Sequence, residues 1–222
     1  MTITYAQLVT AVQDYTQNTF DTTTINTLIQ QAEQRIYNTV QIANLRKNVT
    51  GVLSSGNKYL ACPADFLSTY SIAIYPASGT GDYLYLLNKD VNFIREAYPD
   101  SSGTGKPKHY AIFGPQSTNV NELSFMLGPT PDANYNAELH YYYYPESIVT
   151  ASTTWLGDNF DSALLYGTLC EAGVYMKSDP TDGMYTLYQD RYVQAIALLK
   201  NLGDGKQRMD AYRDGQVRVQ VS

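Results

Sequence analysis

A chain of 222 residues is long enough for one large domain or two small ones, and it can bury a core without covalent staples. Its net charge of −6 and pI of about 4.8 exclude a protein that grips nucleic-acid phosphates over a broad basic face. The two cysteines, Cys62 and Cys170, are too few and too far apart for a disulfide framework or a zinc cluster, and each reads as a small buried hydrophobe.

The opening MTITYAQLVTAVQDY has no basic region ahead of a long apolar run, and no stretch approaches 18 consecutive apolar residues. A soluble chain with no export signal of its own and no membrane contact is expected. Tyrosine occurs 21 times while charged residues make up only 16%. Tyr joins a large apolar area to one hydroxyl that tolerates water or a partner, so such a composition suits surfaces buried on assembly. A tyrosine-rich sheet in an ordinary monomer is the alternative.

The first elements are two amphipathic helices. Thr4 followed by Gln7 forms a capping box, and Tyr5, Leu8, Val9, Val12 and Tyr15 fall on one face. Asp21 or Thr22 caps a second helix with Ile25, Leu28, Ile29, Ala32, Ile36 and Val40 as its stripe. From Arg46 the period changes to two. NVTGVLSSGNKYLACP reads as a hairpin turned at Ser54-Ser55-Gly56-Asn57, followed by a corner at Pro63-Ala64-Asp65-Phe66-Leu67 and strands in TYSIAIYP and DYLYLLN. DVNFIREAY is a two-turn helix stopped by Pro99, and DSSGTGKPK is a loop. HYAIFG, ELSFML and YNAELHYYYYP are three more strands.

The helical period returns near Trp155. Phe160, Leu164, Leu165, Leu169, Ala172 and Met176 define one long helix with its cap at Asp158 or Asn159. Met184, Leu187, Tyr188, Tyr192, Ala195, Ile196 and Leu199 define another, ended at Leu202-Gly203 with Gly203 left-handed. Neither helix pair hides its stripe alone. The fold class expected is therefore α+β: a bundle of the N-terminal pair (residues 1–45) and the C-terminal pair (151–204), an inserted antiparallel β-sandwich or barrel-like module (46–150), and an extended C-terminal tail (205–222).

Catalytic and cofactor chemistry finds no residues to stand on. His109 and His140 lie in strands without a ligand partner at suitable spacing, no GxSxG occurs, and no carboxylates form a recognisable pair. Gly103-Thr104-Gly105-Lys106 lacks the Gly and the Ser or Thr of a phosphate loop, since Asp100 and Pro107 stand there. No enzyme, cofactor or metal is expected. Tyr141 to Tyr144 is a poor stacking platform for bases: in a strand Tyr141 and Tyr143 face away from Tyr142 and Tyr144, and no Arg or Lys accompanies them.

The order of pieces carries a resemblance. Pro63, Asp65 and Phe66 at the corner, Gly105 and Pro107 before Tyr110, Pro129 and Pro131 before Tyr141 to Tyr144, and Trp155-Leu156 before the penultimate helix resemble the head-to-tail adaptor (connector) proteins of short-tailed bacteriophages. The match covers most of the chain. It departs at Cys62, where an aliphatic residue is commoner. The resemblance implies a virion structural protein at the head-tail interface, assembled in the host cytoplasm. It implies a homo-oligomeric ring, usually of twelve copies, docked on the portal protein. That ring continues the DNA channel toward the tail nozzle and other tail proteins. A net acidic subunit suits a channel through which DNA slides without specific binding. The readings left beside it are another tail connector or completion ring, and a tyrosine-rich receptor- or carbohydrate-binding module of a tail component.

The charge is uneven. Residues 206–222 hold Lys206, Arg208, Arg213 and Arg218 against Asp210 and Asp214, a net of +2 that leaves −8 for the preceding residues. From Gln216 to Ser222 polar and apolar residues alternate, with Val217, Val219 and Val221 on one side. The expected docking site on the portal is this tail: Arg208, Tyr212, Arg213 and Arg218 for polar contacts, and Val217, Val219 and Val221 for adding a strand to the partner's sheet. A frayed terminus in the free subunit is the alternative.

Overall fold

The structure is a computed structural model that describes residues 2–40, 42–100, 102–114, 123–177 and 183–207. The chain divides into two compact units, one of Met1–Leu45 with Tyr144–Ser222 and the other of Arg46–Tyr143.

In the first unit, α1 (Tyr5–Thr16) starts at a complete capping box. The Thr4 N–H donates to Gln7 Oε1 at 3.0 Å and the Gln7 N–H to Thr4 Oγ1 at 3.4 Å, so two otherwise orphaned donors are satisfied. Gln17, with φ of 49°, ends it in the left-handed region. The second helix, α2 (Thr22–Thr39), is capped by Asp21, whose carboxylate accepts from the Thr24 N–H and hydroxyl at 3.0 and 2.6 Å. Ile25, Leu28, Ile29, Ala32 and Ile36 form its buried stripe. A 3₁₀ turn at Ala43–Leu45 leads out of the unit.

The second unit is a sandwich. Its strands are β1 (Arg46–Leu53), β2 (Tyr59–Ala61), β3 (Ser68–Pro76), β4 (Leu84–Tyr85) and β5 (Leu87–Asn88). After α3 (Val91–Ala97) come β6 (Thr104–Gly105), β7 (His109–Phe113), β8 (Ser124–Gly128), β9 (Thr130–Pro131) and β10 (Tyr135–Tyr142). One sheet runs β1-β10-β3-β4 and is antiparallel throughout; the other runs β2-β8-β7-β5, and a two-stranded ladder joins β6 to β9. The β5/β7 and β6/β9 pairings are parallel, so the module is mixed rather than purely antiparallel.

Leu53, Ile72, Ile74, Leu139 and Tyr141 of the first sheet meet Tyr110, Phe125 and Leu127 of the second in one buried core. On the far face of the second sheet, Ala111 and Met126 pack against Ile94 of α3. With both faces covered, every residue of β8 is buried, and its run reads as continuous apolar sequence rather than alternation.

The expected hairpin at Ser54 is corrected. A turn is there, with the Asn57 N–H bonded to the Ser54 carbonyl at 3.1 Å, yet β1 pairs with β10 and β2 with β8. The turn is a sandwich corner that carries the chain from one sheet to the other. DYLYLLN divides in the same way: β4 joins the first sheet, Leu86 is buried between, and β5 joins the second.

The chain returns to the helical unit through α4 (Ile148–Ala151), α5 (Trp155–Asn159), α6 (Asp161–Tyr175) and α7 (Gly183–Gln207). The helix expected from Phe160 onward is α6, but Asp158 and Asn159, expected to cap it, belong to a separate short helix, α5. Thr154 caps α5, its hydroxyl accepting from the Gly157 N–H at 3.2 Å, and Phe160 at φ −141° breaks the spiral before α6. Its ring rests against Trp155, with centroids 5.8 Å apart. Helix α6 packs against α1, α2 and α7, and at Gly167 a Cβ would stand 3.2 Å from the Tyr192 ring and 3.5 Å from Ala32, which is why the helices approach so closely there. Gly203 does not end α7. The helix continues to Gln207, so the tail begins later than residue 205.

Candidate functional site

The corner at Pro63 to Phe66 is a packing device. The Phe66 N–H closes a turn onto the Pro63 carbonyl at 3.0 Å, and the Phe66 ring meets Phe125 edge-on at 5.5 Å and Tyr141 at 5.9 Å. Asp65 accepts from the Tyr141 hydroxyl at 2.8 Å and from Lys47 at 2.7 Å. Partial burial opposes its ionisation, but the hydrogen bonds from Lys47 and Tyr141 outweigh that and hold the carboxyl below the ordinary carboxylate value. Tyr141 is 1% exposed, so its hydroxyl has few other partners. Asp65→Ala is expected to destabilise the sandwich by about 2 kcal/mol, the cost of stranding a buried hydroxyl, and Asp65→Asn by less. Urea unfolding of both variants is the check.

The run Tyr141 to Tyr144 divides among three environments. Tyr141 is core, with Tyr143 beside it on the same side at 6.4 Å. Tyr142 projects to the opposite face of the sheet, edge-on to Tyr70 at 6.0 Å. Tyr144 lies beyond the strand in the helical unit, where it stacks on Tyr37 and its hydroxyl donates to Asn38 at 2.6 Å. Only Tyr142 therefore reaches the solvent-facing side of this sheet.

That side carries an aromatic surface that period-two counting missed. On β10 the residues alternating with the buried Ala137, Leu139 and Tyr141 are Asn136, Glu138, His140 and Tyr142. Their register partners are Val52, Thr50, Asn48 and Arg46 of β1, and Tyr75, Ala73, Ser71 and Ser68 of β3. Tyr70 and Tyr75 are five apart and would face opposite ways in a regular strand. The register shifts between His140 and Tyr141, so that Tyr70 is an extra residue and joins the outer face. Its ring there lies 4.5 Å below the Arg46 guanidinium, which also sits 5.6 Å over Tyr142. Tyr83 closes on Tyr75 with centroids 4.7 Å apart, and Tyr85 pairs beside Ala73.

The few charges on this surface are answered locally. Glu138 accepts from the Asn48 amide at 2.8 Å and stands 3.8 Å from His140 Nε2, while His140 Nδ1 meets the Ser71 hydroxyl at 3.2 Å. Desolvation and the Glu138 carboxylate push the Tyr83 hydroxyl above its ordinary value. The other histidine, His109, bonds through Nδ1 to the Tyr98 hydroxyl at 2.9 Å and packs on Phe93. Burial, with Lys89 and Lys108 nearby, lowers its affinity for a proton. Cys62 and Cys170 are both buried, and burial pushes the Cys170 thiol up to about 11. Among the described residues no group of His, Cys, Asp and Glu could hold a metal ion, and no helix is long and apolar enough to cross a membrane.

The seven residues expected to dock on a partner, Arg208, Tyr212, Arg213, Val217, Arg218, Val219 and Val221, lie outside the described residues. The comparison with protein families reaches all of them but Val221: the profile of the SU10 adaptor protein family matches residues 3–220. The chain belongs to the SU10 adaptor protein family. It is accordingly a bacteriophage structural adaptor of the head-tail connector kind, from a family whose role is architectural rather than catalytic. No curated protein matches the sequence. The turn residues that carry the resemblance fall in this adaptor where packing needs them. Pro63, Asp65 and Phe66 close the sandwich corner, Gly105 pairs with Pro131 in the β6/β9 ladder, and Trp155 braces the break at Phe160.

Proposed function

We propose that this adaptor forms a ring of twelve copies that docks on the portal protein, extends the DNA channel and receives the tail nozzle or other tail proteins on its far side. The family match over residues 3–220 carries the reading. The acidic net charge of −6 accords with a channel that DNA crosses without specific binding, and the virion's head-tail interface is its place, reached after assembly in the host cytoplasm. Docking is assigned to the basic, alternating tail: Arg208, Tyr212, Arg213 and Arg218 as polar contacts and Val217, Val219 and Val221 as an added strand.

A carbohydrate or receptor reader would gather exposed aromatics around a concavity. The tyrosines of the β1-β10-β3-β4 sheet instead spread over three successive strands, Tyr142 on β10, Tyr70 and Tyr75 on β3 and Tyr85 on β4, which favours the ring. The test is the mass of the purified protein alone and mixed with portal. A monomer that becomes a ring on the portal is expected, and a monomer that stays inert under all conditions would overturn the reading.

A further inference from the structure

The outer face of the β1-β10-β3-β4 sheet carries large apolar groups that its own unit leaves uncovered. Tyr85 is 66% exposed, Val52 61%, Tyr83 50% and Tyr70 47%. These four span the sheet from its β1 edge to its β4 edge. We propose that this face is a subunit contact, covered in the assembled ring by a neighbouring copy of this chain.

The inference rests on the ring reading above, and charge is its second support. A chain carrying −6 repels its own copies, so a contact between copies needs a surface with little free charge. This face meets that need. Its one carboxylate, Glu138, is held by Asn48, with His140 close by, and its one guanidinium, Arg46, lies over the rings of Tyr70 and Tyr142. What remains is aromatic area with hydroxyls, the composition enriched at the centres of protein interfaces.

Size agrees as well. Three of the strands, β1, β10 and β3, have eight or nine residues and so are about 27 Å long and together about 14 Å across, and the short β4 adds little, giving an area on the order of 400 Å². That is about half of the roughly 800 Å² that each partner gives to a standard interface. A ring of more than two copies uses head-to-tail contacts, so the face meets a different surface of the neighbour and not its own counterpart. A sugar would need open ring faces to stack on, and the Tyr75 and Tyr83 rings close on each other instead.

The experiment places a charge at each edge of the face in the full-length protein, as the double variant Val52→Glu and Tyr85→Glu, with Tyr85→Phe as the conservative partner. Circular dichroism and melting establish that each is folded, which the exposure of both sites allows. Assembly on portal is then followed by light scattering against subunit concentration. Wild type and Tyr85→Phe are expected to close rings alike, and the double variant to need about tenfold more protein or to stop at partial occupancy. A double variant that closes rings as wild type does would overturn the inference and leave the ring reading standing. Wild type forming no ring would overturn both. Oligosaccharide binding by wild type that the double variant loses, with ring closure intact, would assign the face to a glycan instead.

Discussion

A chain ending at Gln207 is expected to fold as the full-length adaptor does and to lose its attachment to the portal. The cut follows from α7. The helix continues to Gln207, and the residues it buries, Tyr188, Tyr192, Ala195, Ile196 and Leu199, all precede the cut. Removing residues 208–222 therefore takes nothing from the described core. It does take three arginines and two aspartates, together with the alternating Val217, Val219 and Val221. If those residues are the dock, the loss is close to complete, because strand addition makes its hydrogen bonds along the whole segment and leaves no second anchor. Co-sedimentation of the truncated protein with portal reads this directly, and a helical circular dichroism signal equal to that of full length guards against misfolding. Portal binding unchanged by the truncation would move the dock elsewhere on the subunit.

The largest effect on stability is expected at Glu33. It lies on α2 at 3% exposure, and its Oε1 accepts the Ile148 N–H at 2.9 Å, which pins the start of α4 where the chain re-enters the helical unit. Ile148 is itself fully buried. Glu33→Ala strands that N–H and opens a cavity, a combined cost of about 2–4 kcal/mol. Glu33→Gln keeps an acceptor oxygen in place and removes the charge. Burial raises the Glu33 carboxyl above its ordinary 4.5, and the hydrogen bonds from Ser147 and Ile148 offset this only in part. The folded state thus holds the proton more tightly than the unfolded chain. Stability from this group is full below pH 4.5 and falls as pH rises through the raised value. Glu33→Gln escapes that loss, so its stability relative to wild type is expected to improve on going from about pH 4 to about pH 7.5. Thermal melts at the two pH values decide it: a difference between the proteins that does not change with pH would mean that Glu33 ionises freely in the fold.

What could be read from the sequence was what neighbours in the chain decide. Thr4 with Gln7 and Asp21 ahead of Thr24 are local capping chemistry, and both helices start where those residues place them. The change of period at Arg46 likewise announces β1, and the α+β class follows. What failed depended on residues distant in the chain. The turn at Ser54 has ordinary hairpin residues, and only the partners β10 and β8 show that it joins two sheets. Tyr70 faces outward because of a register shift against His140 and Tyr141, some seventy positions away. Phe160 looks like a stripe residue until Trp155 takes its ring. Gly203 costs a helix only about 1 kcal/mol relative to alanine, too little to stop one. The candidate surface was accordingly the least legible part. From the sequence the run Tyr141 to Tyr144 drew notice only as a poor stacking platform, whereas the aromatic face draws on Tyr70, Tyr75, Tyr83 and Tyr85 and borrows from that run only Tyr142.

The strands by which the chain enters and leaves the sandwich are partners along their whole length, from Arg46 opposite Tyr142 to Leu53 opposite Tyr135. The two ends of the insertion are thus held about 5 Å apart by its own ladder. Seen from the helical sequence, ninety-eight residues occupy the span of a tight turn. Closing so small a gap costs little chain entropy whatever hangs beyond it. Loops between Leu53 and Tyr135 can lengthen or shorten without moving the points where the helices receive the chain. An adaptor organised in this way can change what its sandwich meets while the helical sequence stays as it is.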